Sequence, residues 1–330
     1  MYQIINKRKY TYIISIALIF LSAFALGKWG LKLGIDFQGG TLMEVEFSSD
    51  AKTQDVQKTK NELGQEVTIS QETTQEGIEV DIPTSQEVQD SLAELELNSL
   101  TVQQSGENRA IIRYIESSED TNEKVLEKIR ELNVNTKQVR VDFIGASISS
   151  QLKDNALKAL FFAVLGIALY IAWAFRKVSY PVPSWQYGLG AILALAHDII
   201  LTLGVFSFLG HFYDIEVGVP FIAALLTILG YSVNDTIVIF DRTRENILRS
   251  GNNMNFEELV NRSLNESLSR SINTSLTVAV VLLAIILFGG VTIKYFAVAL
   301  LAGIIFGTYS SMYVASALLV TSHELKIKQK

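Results

Sequence analysis

Six long apolar stretches limit what this chain can fold into. A helix needs about 20 mostly apolar residues to cross the hydrocarbon core of a bilayer. Apolar residues make up 49% of the 330 residues, and they occur in blocks of about that length. The sequence therefore predicts a multi-pass α-helical membrane protein. We expect its spanning helices at residues 12–29, 156–175, 185–209, 217–240, 272–288 and 293–320.

Basic residues in the short polar segments predict the orientation of these helices. Lys and Arg beside spanning helices tend to remain on the cytoplasmic side, so both termini are predicted to be cytoplasmic. A cleaved signal peptide is the rival interpretation of the N-terminus, because a basic start, an apolar run and Ala23-Phe24-Ala25 resemble a processing site. Cleavage would leave five spanning helices. The basic residues are Lys7, Arg8, Lys9, Arg176, Lys177, Arg242, Arg244, Arg249, Arg262, Lys326, Lys328 and Lys330.

The long interval between the first two helices is predicted to be a separate extracytoplasmic domain, residues 34–150, called here the polar domain. Residues 44–142 hold 10 Lys and Arg against 22 Asp and Glu, a net charge of −12, whereas the whole chain carries −6. Such an acidic surface argues against a nucleic-acid partner. The remaining parts are residues 1–33 with the first helix, 151–322 with the other five, and a cytoplasmic tail at 323–330.

The apolar pattern of the polar domain predicts a βαββαβ, ferredoxin-like α+β fold. Strands are expected at 41–47, 99–104, 110–115 and 138–144, with helices starting at Ser85 and after Ser117-Ser118. Residues 51–81 do not fit this order and are interpreted as an insertion. For it we expect a short helix through Val56 and Leu63, and a hairpin that pairs 67–70 with 78–82.

Asp235 is the main candidate functional residue, because it lies with Asn234 near the end of the predicted spanning helix 217–240. A carboxylate at the centre of a spanning helix costs about 2.5–3.5 kcal/mol on insertion scales, so one that is retained usually serves an ion or proton pathway. It lies six residues before Asp241, or about 9 Å along the helix axis. The alternative is that Asp235 only holds helices together through hydrogen bonds.

Several motifs carry a resemblance to a known family. Residues 34–41, Gly-Ile-Asp-Phe-Gln-Gly-Gly-Thr, follow the first helix directly, and His197-Asp198 lies within the third. These segments, in this order, resemble the SecF branch of the SecD/SecF family, which belongs to the RND transporter superfamily. Asp36, Gly39 and Gly40 also fit a tight turn out of the membrane, since glycine tolerates positive φ. The matching positions include Gly34, Asp36, Gly39, Gly40, Asp198, Tyr231, Ser232, Asn234, Asp235, Asp241 and Arg242.

The resemblance implies an RND-type half with six spanning helices, in a bacterial inner membrane surrounded by lipid. It implies an ion-gradient-coupled subunit of protein export that is not an enzyme and works with SecD, the SecYEG channel, SecA and an unfolded preprotein. Protons or sodium ions would be the coupling ion, and no cofactor or metal site is expected. Asp235 matches the family's proton-carrying aspartate, with Arg270 and Thr274 as its partners on the next helix and Asp198 as a further pathway residue.

Two other functions remain open at this stage. An RND-like exporter of lipids or small molecules would use the same buried carboxylate. An intramembrane aspartyl protease would use Asp198 and Asp235 as paired carboxylates, although the Tyr-Asp and Gly-x-Gly-Asp motifs of that class are absent.

Overall fold

The computed structural model of the chain describes residues 2–48, 50–60, 66–79, 81–115, 118–176, 182–250 and 255–328. The chain divides into two compact units. One is the membrane unit, Met1–Leu33 with Lys153–Lys330, and the other is the polar domain, Gly34–Leu152.

The membrane unit consists of two segments of the chain, and the polar domain lies between them in the sequence. A 3₁₀ turn at Ile5–Lys7 precedes the first long helix, and a π-helical turn at Ser311–Ala315 joins the last two. The elements are α1 (Arg8–Trp29), α2 (Ile35–Gln38), β1 (Gly40–Glu46), β2 (Asp50–Lys60), β3 (Glu66–Glu79), α3 (Ser85–Leu92), β4 (Thr101–Gln104), β5 (Arg109–Tyr114), α4 (Glu119–Leu132), β6 (Lys137–Ile144), α5 (Ala146–Ala174), α6 (Ser184–Tyr213), α7 (Val219–Ser250), α8 (Phe256–Phe288), α9 (Val291–Ser310) and α10 (Ser316–Lys328).

Six helical segments of the described chain are long and apolar enough to cross a membrane, as predicted. They are α1, α5, α6, α7, α8 and the α9–α10 pair. Two of them extend well beyond the apolar stretches that predicted them: α7 continues to Ser250 and α8 begins at Phe256. The extensions are polar, so hydropathy alone does not detect them. Asn255 caps α8 by accepting a hydrogen bond from the backbone N–H of Glu257 at 3.3 Å.

Helices α6, α7 and α9 form the interior of the membrane unit. About half of the apolar windows of α6 and of α9–α10 is buried, against 11% for α1 and α8. Glycine lets these helices approach closely, since a Cβ added to Gly307 on α9 would lie 2.9 Å from Cβ of Ser232 on α7. The outer faces of α1 and α5 carry exposed large apolar side chains, as a lipid-facing surface does.

The polar domain has the predicted ferredoxin-like order. Its four-stranded antiparallel sheet runs β4-β5-β1-β6, so the first and third strands of the βαββαβ unit lie in the middle. One face of the sheet packs against α3 and α4 through a core that includes Met43, Val45, Ile112, Val88 and Ile129. Thr84 begins α3 with a capping box, in which its hydroxyl accepts from the N–H of Glu87 and its own N–H donates to the Glu87 carboxylate.

The expectations for residues 51–81 need correction. Val56 lies in β2 and pairs with Ser70 of β3, so the predicted short helix through it is wrong. Leu63 lies outside the described residues. The hairpin joins Asp50–Lys60 to Glu66–Glu79 rather than 67–70 to 78–82. Residues 53–59 are rich in β-branched threonine and valine, which favour strands, and this propensity outweighs the two apolar residues that suggested a helix.

The turn between α2 and β1 depends on glycine, as the sequence predicts. Gly39 and Gly40 have φ values of +80° and +119°. At Gly40 a Cβ would overlap the carbonyl oxygen of Tyr114 on the neighbouring strand β5. Only glycine satisfies both the backbone angle and this close approach, which sets where β1 enters the sheet.

Candidate functional site

Asp235 lies in the interior of the membrane unit, on the face of α7 that contacts α8. It is 9% exposed, and its Oδ1 accepts a hydrogen bond of 2.5 Å from the Ser271 hydroxyl of α8. Its Oδ2 is buried and has no hydrogen-bond partner among the described residues. The site therefore holds a carboxylate with one satisfied oxygen and one oxygen free to bind a proton or a cation.

The predicted partners of Asp235 occupy other faces of their helices. Arg270 is exposed and makes no ion pair with Asp235 in the described part of the chain. Thr274 is also exposed, and its hydroxyl donates to the carbonyl of Arg270 on its own helix at 2.8 Å. Asn234, the neighbour of Asp235, is exposed on α7. No hydrogen bond or ion pair joins Arg270 or Thr274 to Asp235 among the described residues, although the Arg270 charge is close enough to act on the Asp235 carboxyl group.

The structure instead brings serines of α8 to this position. The inward face of α8 includes Ser267, Ser271, Ser275 and Leu282, whose spacings of four, four and seven residues place them on one helical face. Ser275 forms a 2.5 Å hydrogen bond with Thr308 of α9 and accepts one of 3.3 Å from Tyr231. The prediction placed the partners by their depth along the axis of α8, and depth does not determine which residues face α7. The periodicity of the small residues would have identified Ser271.

Asp198 forms a second buried polar cluster, centred on α6. The residue is fully buried, and its Oδ2 accepts hydrogen bonds from Ser232 of α7 at 2.6 Å and from Ser310 of α9 at 2.8 Å. Its Oδ1 lies 3.0 Å from Nδ1 of His197. One carboxylate therefore joins the three interior helices.

The two aspartates are separate sites that share helix α7. Ser232, which binds Asp198, lies three residues before Asp235 and thus about one turn away. No hydrogen bond joins the two carboxylates in the described residues. A further hydroxyl pair, Thr236 with Ser311 at 2.7 Å, links α7 to the π-helical turn. Helical irregularities of this kind often mark functional positions.

The remaining motif residues have structural contacts. Arg242 donates to Glu266 of α8 at 2.6 Å and to Glu245 at 2.5 Å, which ties α7 to α8 beyond the apolar stretches. Asp241 is exposed and 3.9 Å from Arg244. Gly34 precedes α2 as its N-cap, and Asp36 lies in the first turn of that helix.

Comparisons with known proteins assign these motifs to a family. Residues 124–325 match the family described as protein export membrane protein SecD/SecF, C-terminal, and residues 24–51 match the SecD/SecF GG motif. The chain belongs to the SecD/SecF family. Gly39 and Gly40 provide the paired glycines of that motif, and Asp198 and Asp235 lie within the C-terminal match.

Similar proteins agree with this family over nearly the whole chain. It is 38% identical to a protein translocase subunit SecF of Thermobaculum terrenum, over 90% of this chain and 86% of that protein. A SecF subunit of Sebaldella termitidis is 34% identical over 89% of this chain and 83% of that protein.

A solved structure supports the SecD/SecF fold. Crystalline SecDF from Thermus thermophilus, described as a translocon-associated membrane protein, has a TM-score of 0.78 and 29% identity. The match covers 98% of this chain but 39% of that chain. A second SecDF structure, in a super-membrane-facing form, has a TM-score of 0.61 and 28% identity. The chain therefore corresponds to a minor part of a SecDF protein.

Proposed function

We propose that the chain is the SecF-type half of an ion-gradient-coupled protein-export complex, and that Asp235 is its coupling carboxylate. In this proposal, binding and release of a proton or sodium ion at Asp235 shifts α7 against α8. The shift changes the position of the polar domain and promotes late steps in the translocation of an unfolded preprotein. The SecYEG channel and SecA would be the other components of the machinery.

The observation that carries the proposal is the unpartnered Oδ2 of Asp235. A buried acceptor without a donor costs free energy, of order 1–3 kcal/mol and more when it is charged. In a membrane that cost is relieved when a proton or cation binds, and it returns on release. A carboxylate retained only to hold α7 to α8 would use both of its oxygens for hydrogen bonds.

A polar exposed face on α7 and α8 supports a SecD-type partner. Five polar residues of this face are exposed. Thr227 and Asn234 lie within the apolar stretch of α7, Asn273 and Thr274 lie within that of α8, and Arg270 lies just before it. Polar side chains in spanning helices normally face another helix or a water-filled cavity rather than lipid. A second, similar half would shield them, and Arg270 and Thr274 would then line a pathway shared by the two halves.

The location and orientation follow from the same proposal. The complex would lie in the bacterial inner membrane with both termini of this chain in the cytoplasm, in agreement with its basic flanking segments. The polar domain would then face outwards, where a preprotein emerges.

Neither alternative function is favoured by the geometry. Aspartyl proteases share a proton between two adjacent carboxylates, whereas Asp198 and Asp235 bind different hydroxyls on different helices. The exporter alternative needs an apolar ligand cavity, whereas a cavity of about 880 Å³ in the described part of the chain is lined by polar residues such as Gln3, Asn261 and Arg262.

Replacement of Asp235 by Asn tests the proposal. The variant keeps the shape of the side chain and removes its charge. The measurement is preprotein export in inverted membrane vesicles that contain the complex, with and without an imposed proton or sodium gradient. We expect export with a gradient to fall to the rate without one, while the amount of complex is unchanged.

Asp214→Asn is the matched control, because this side chain is 76% exposed and binds only Lys32 at 2.9 Å in the described structure. The same chemical change there should leave export at the parental rate. Normal gradient stimulation in Asp235→Asn would show that Asp235 is a structural residue.

A further inference from the structure

His197 has a ring nitrogen that its hydrogen bonds leave unsatisfied. The residue is 3% exposed. An ionised Asp198 can only accept hydrogen bonds, so in that state its contact with His197 places the hydrogen on Nδ1 of His197. Nε2 then carries a lone pair, is buried, and has no donor among the described residues. This nitrogen can take up a proton without breaking the bond to Asp198.

The surroundings make Asp198 the charge that would balance this proton. Among the described residues, the side chains that contact the pair by hydrogen bonding or ring stacking are Ser232 from α7 and Ser310 and Tyr309 from α9. Each of the three carries a hydroxyl group, and none is a carboxylate, ammonium or guanidinium group. A protonated His197 would thus face one full negative charge, already held in place by two serine hydroxyls.

Tyr309 connects this pair to α1. The His197 and Tyr309 rings are stacked, with centroids 6.0 Å apart and planes at 28°. The Tyr309 hydroxyl donates to the carbonyl of Thr11 at 3.0 Å and lies 3.2 Å from the Ser15 hydroxyl. Thr11 and Ser15 belong to α1, the helix from which the chain continues into the polar domain.

We propose that His197 and Asp198 form a second proton-binding site, in which Nε2 of His197 takes up the proton. The new positive charge would act on the stacked ring of Tyr309, whose hydroxyl group bonds α1. The step adds one proton to neutral imidazole and gives an imidazolium ion beside the Asp198 carboxylate, with no other bond broken. It extends the proposed function, on which it rests, because Ser232 joins the pair to the helix of Asp235. The coupling ion at this second site is a proton.

His197→Asn is the decisive variant. Its amide can donate to Asp198 as Nδ1–H does, but it has no nitrogen that titrates. In vesicles that contain the full complex, we expect the gradient-stimulated part of export to fall at least about tenfold, given the usual contribution of a proton-transferring group. Between about pH 5 and about pH 8, where histidines commonly change charge, the residual stimulation should no longer depend on pH as it does in the parent.

Tyr309→Phe tests the connection to α1 independently. It keeps the ring that stacks on His197 and removes one hydroxyl, so the fold should be preserved. We expect gradient stimulation to fall about 2- to 10-fold, the effect of one intramolecular hydrogen bond. Ser207→Ala is the control on α6, since its hydroxyl is buried without a described partner, and export should be unchanged.

The outcomes separate this proposal from the proposed function. Parental stimulation and pH dependence in His197→Asn would overturn the second site while leaving Asp235 untouched. If that variant does not assemble, parental stimulation in Tyr309→Phe would overturn the proposal instead. Full stimulation in Asp235→Asn would contradict the proposed function itself, whatever the His197 variants do.

Discussion

Replacement of Gly40 by alanine should destabilise the polar domain strongly. Gly40 begins β1 with a φ of +119°, in a region that residues with a Cβ rarely adopt. An added Cβ would overlap the Tyr114 carbonyl oxygen and lie 3.1 Å from Cα of Ile115. Both neighbours are backbone atoms at the end of β5, which pairs with β1, so no side chain can rotate away to make room.

The expected cost is the sum of two effects. Forcing a non-glycine residue to positive φ costs about 1–2 kcal/mol, and overpacking against atoms that cannot move costs about 1–3 kcal/mol. The Gly40→Ala substitution should therefore lower the free energy of unfolding of the polar domain by about 2–5 kcal/mol, a large share of the roughly 5–15 kcal/mol of a typical domain.

Gly106→Ala separates the two effects. Gly106 also has a positive φ, +79°, but nothing lies within 4 Å of the position that a Cβ would take. Hydrogen–deuterium exchange of the full-length protein, followed in peptides from β1 and β5, measures the stability of the sheet in each variant. We expect Gly106→Ala to lower the free energy of unfolding by about 1–2 kcal/mol, because only the backbone effect is present there. Equal protection in the two variants would refute the argument that the contact with β5 fixes glycine at position 40.

Four further predictions concern other parts of the chain. Thr84→Ala should lower the stability of the polar domain by about 1 kcal/mol in thermal unfolding, since it removes a helix cap. Hydrogen bonds from Thr84 lower the pKa of Glu87 in the folded domain. They therefore stabilise the domain above the pKa of the unfolded carboxyl group, and this stabilisation is lost as pH falls through the lowered pKa of the folded state. Glu87→Gln should remove this loss of stability at acidic pH. Tyr187→Phe should leave thermal stability unchanged or raise it by up to about 1–3 kcal/mol, because the buried hydroxyl has no described partner, and a fall would contradict this. Asn261→Leu should speed proteolysis of the N-terminus, because the Asn261 side chain bonds the backbone of residues 2, 4 and 5 at 2.8–3.2 Å, and an unchanged cleavage rate would show that these bonds do not hold it.

The number of spanning helices and the topology of the polar domain could be predicted because each depends on a strong local pattern. A spanning helix requires a long apolar run, and a half-buried strand or helix requires alternation at its own period. The apolar spacing predicts the helix that begins at Ser85, the Ser117-Ser118 cap predicts the one that follows Ser118, and the structure has both. Residues 51–81 lack such a pattern, and there the expected short helix proved to be a strand.

The arrangement of side chains around Asp235 could not be predicted in the same detail. The sequence identified the carboxylate by its cost in an apolar helix, but the partner on α8 depends on how that helix is rotated. Arg270 and Ser271 are adjacent in sequence and about 100° apart around the axis, yet one is exposed and the other binds Asp235. Packing against α9 fixes this rotation, and the periodicity of the small residues on α8 is the signal in the sequence that indicates it.

In the proposed function, the exposure of Arg270 and Asn234 is a property of one half of a larger site. Within this chain, Asp235 has one satisfied oxygen, and the nearby polar residues that would complete its surroundings point outwards. An isolated membrane protein would gain by replacing such residues with apolar ones, because polar side chains are costly in lipid. In the proposed function a SecD-type partner would cover these exposed residues, and the similar SecDF crystal structure is of a longer chain, of which this one matches 39%. The ion pathway would then require both halves, and a charge change at Asp235 would act on the interface between them as well as on α7 and α8.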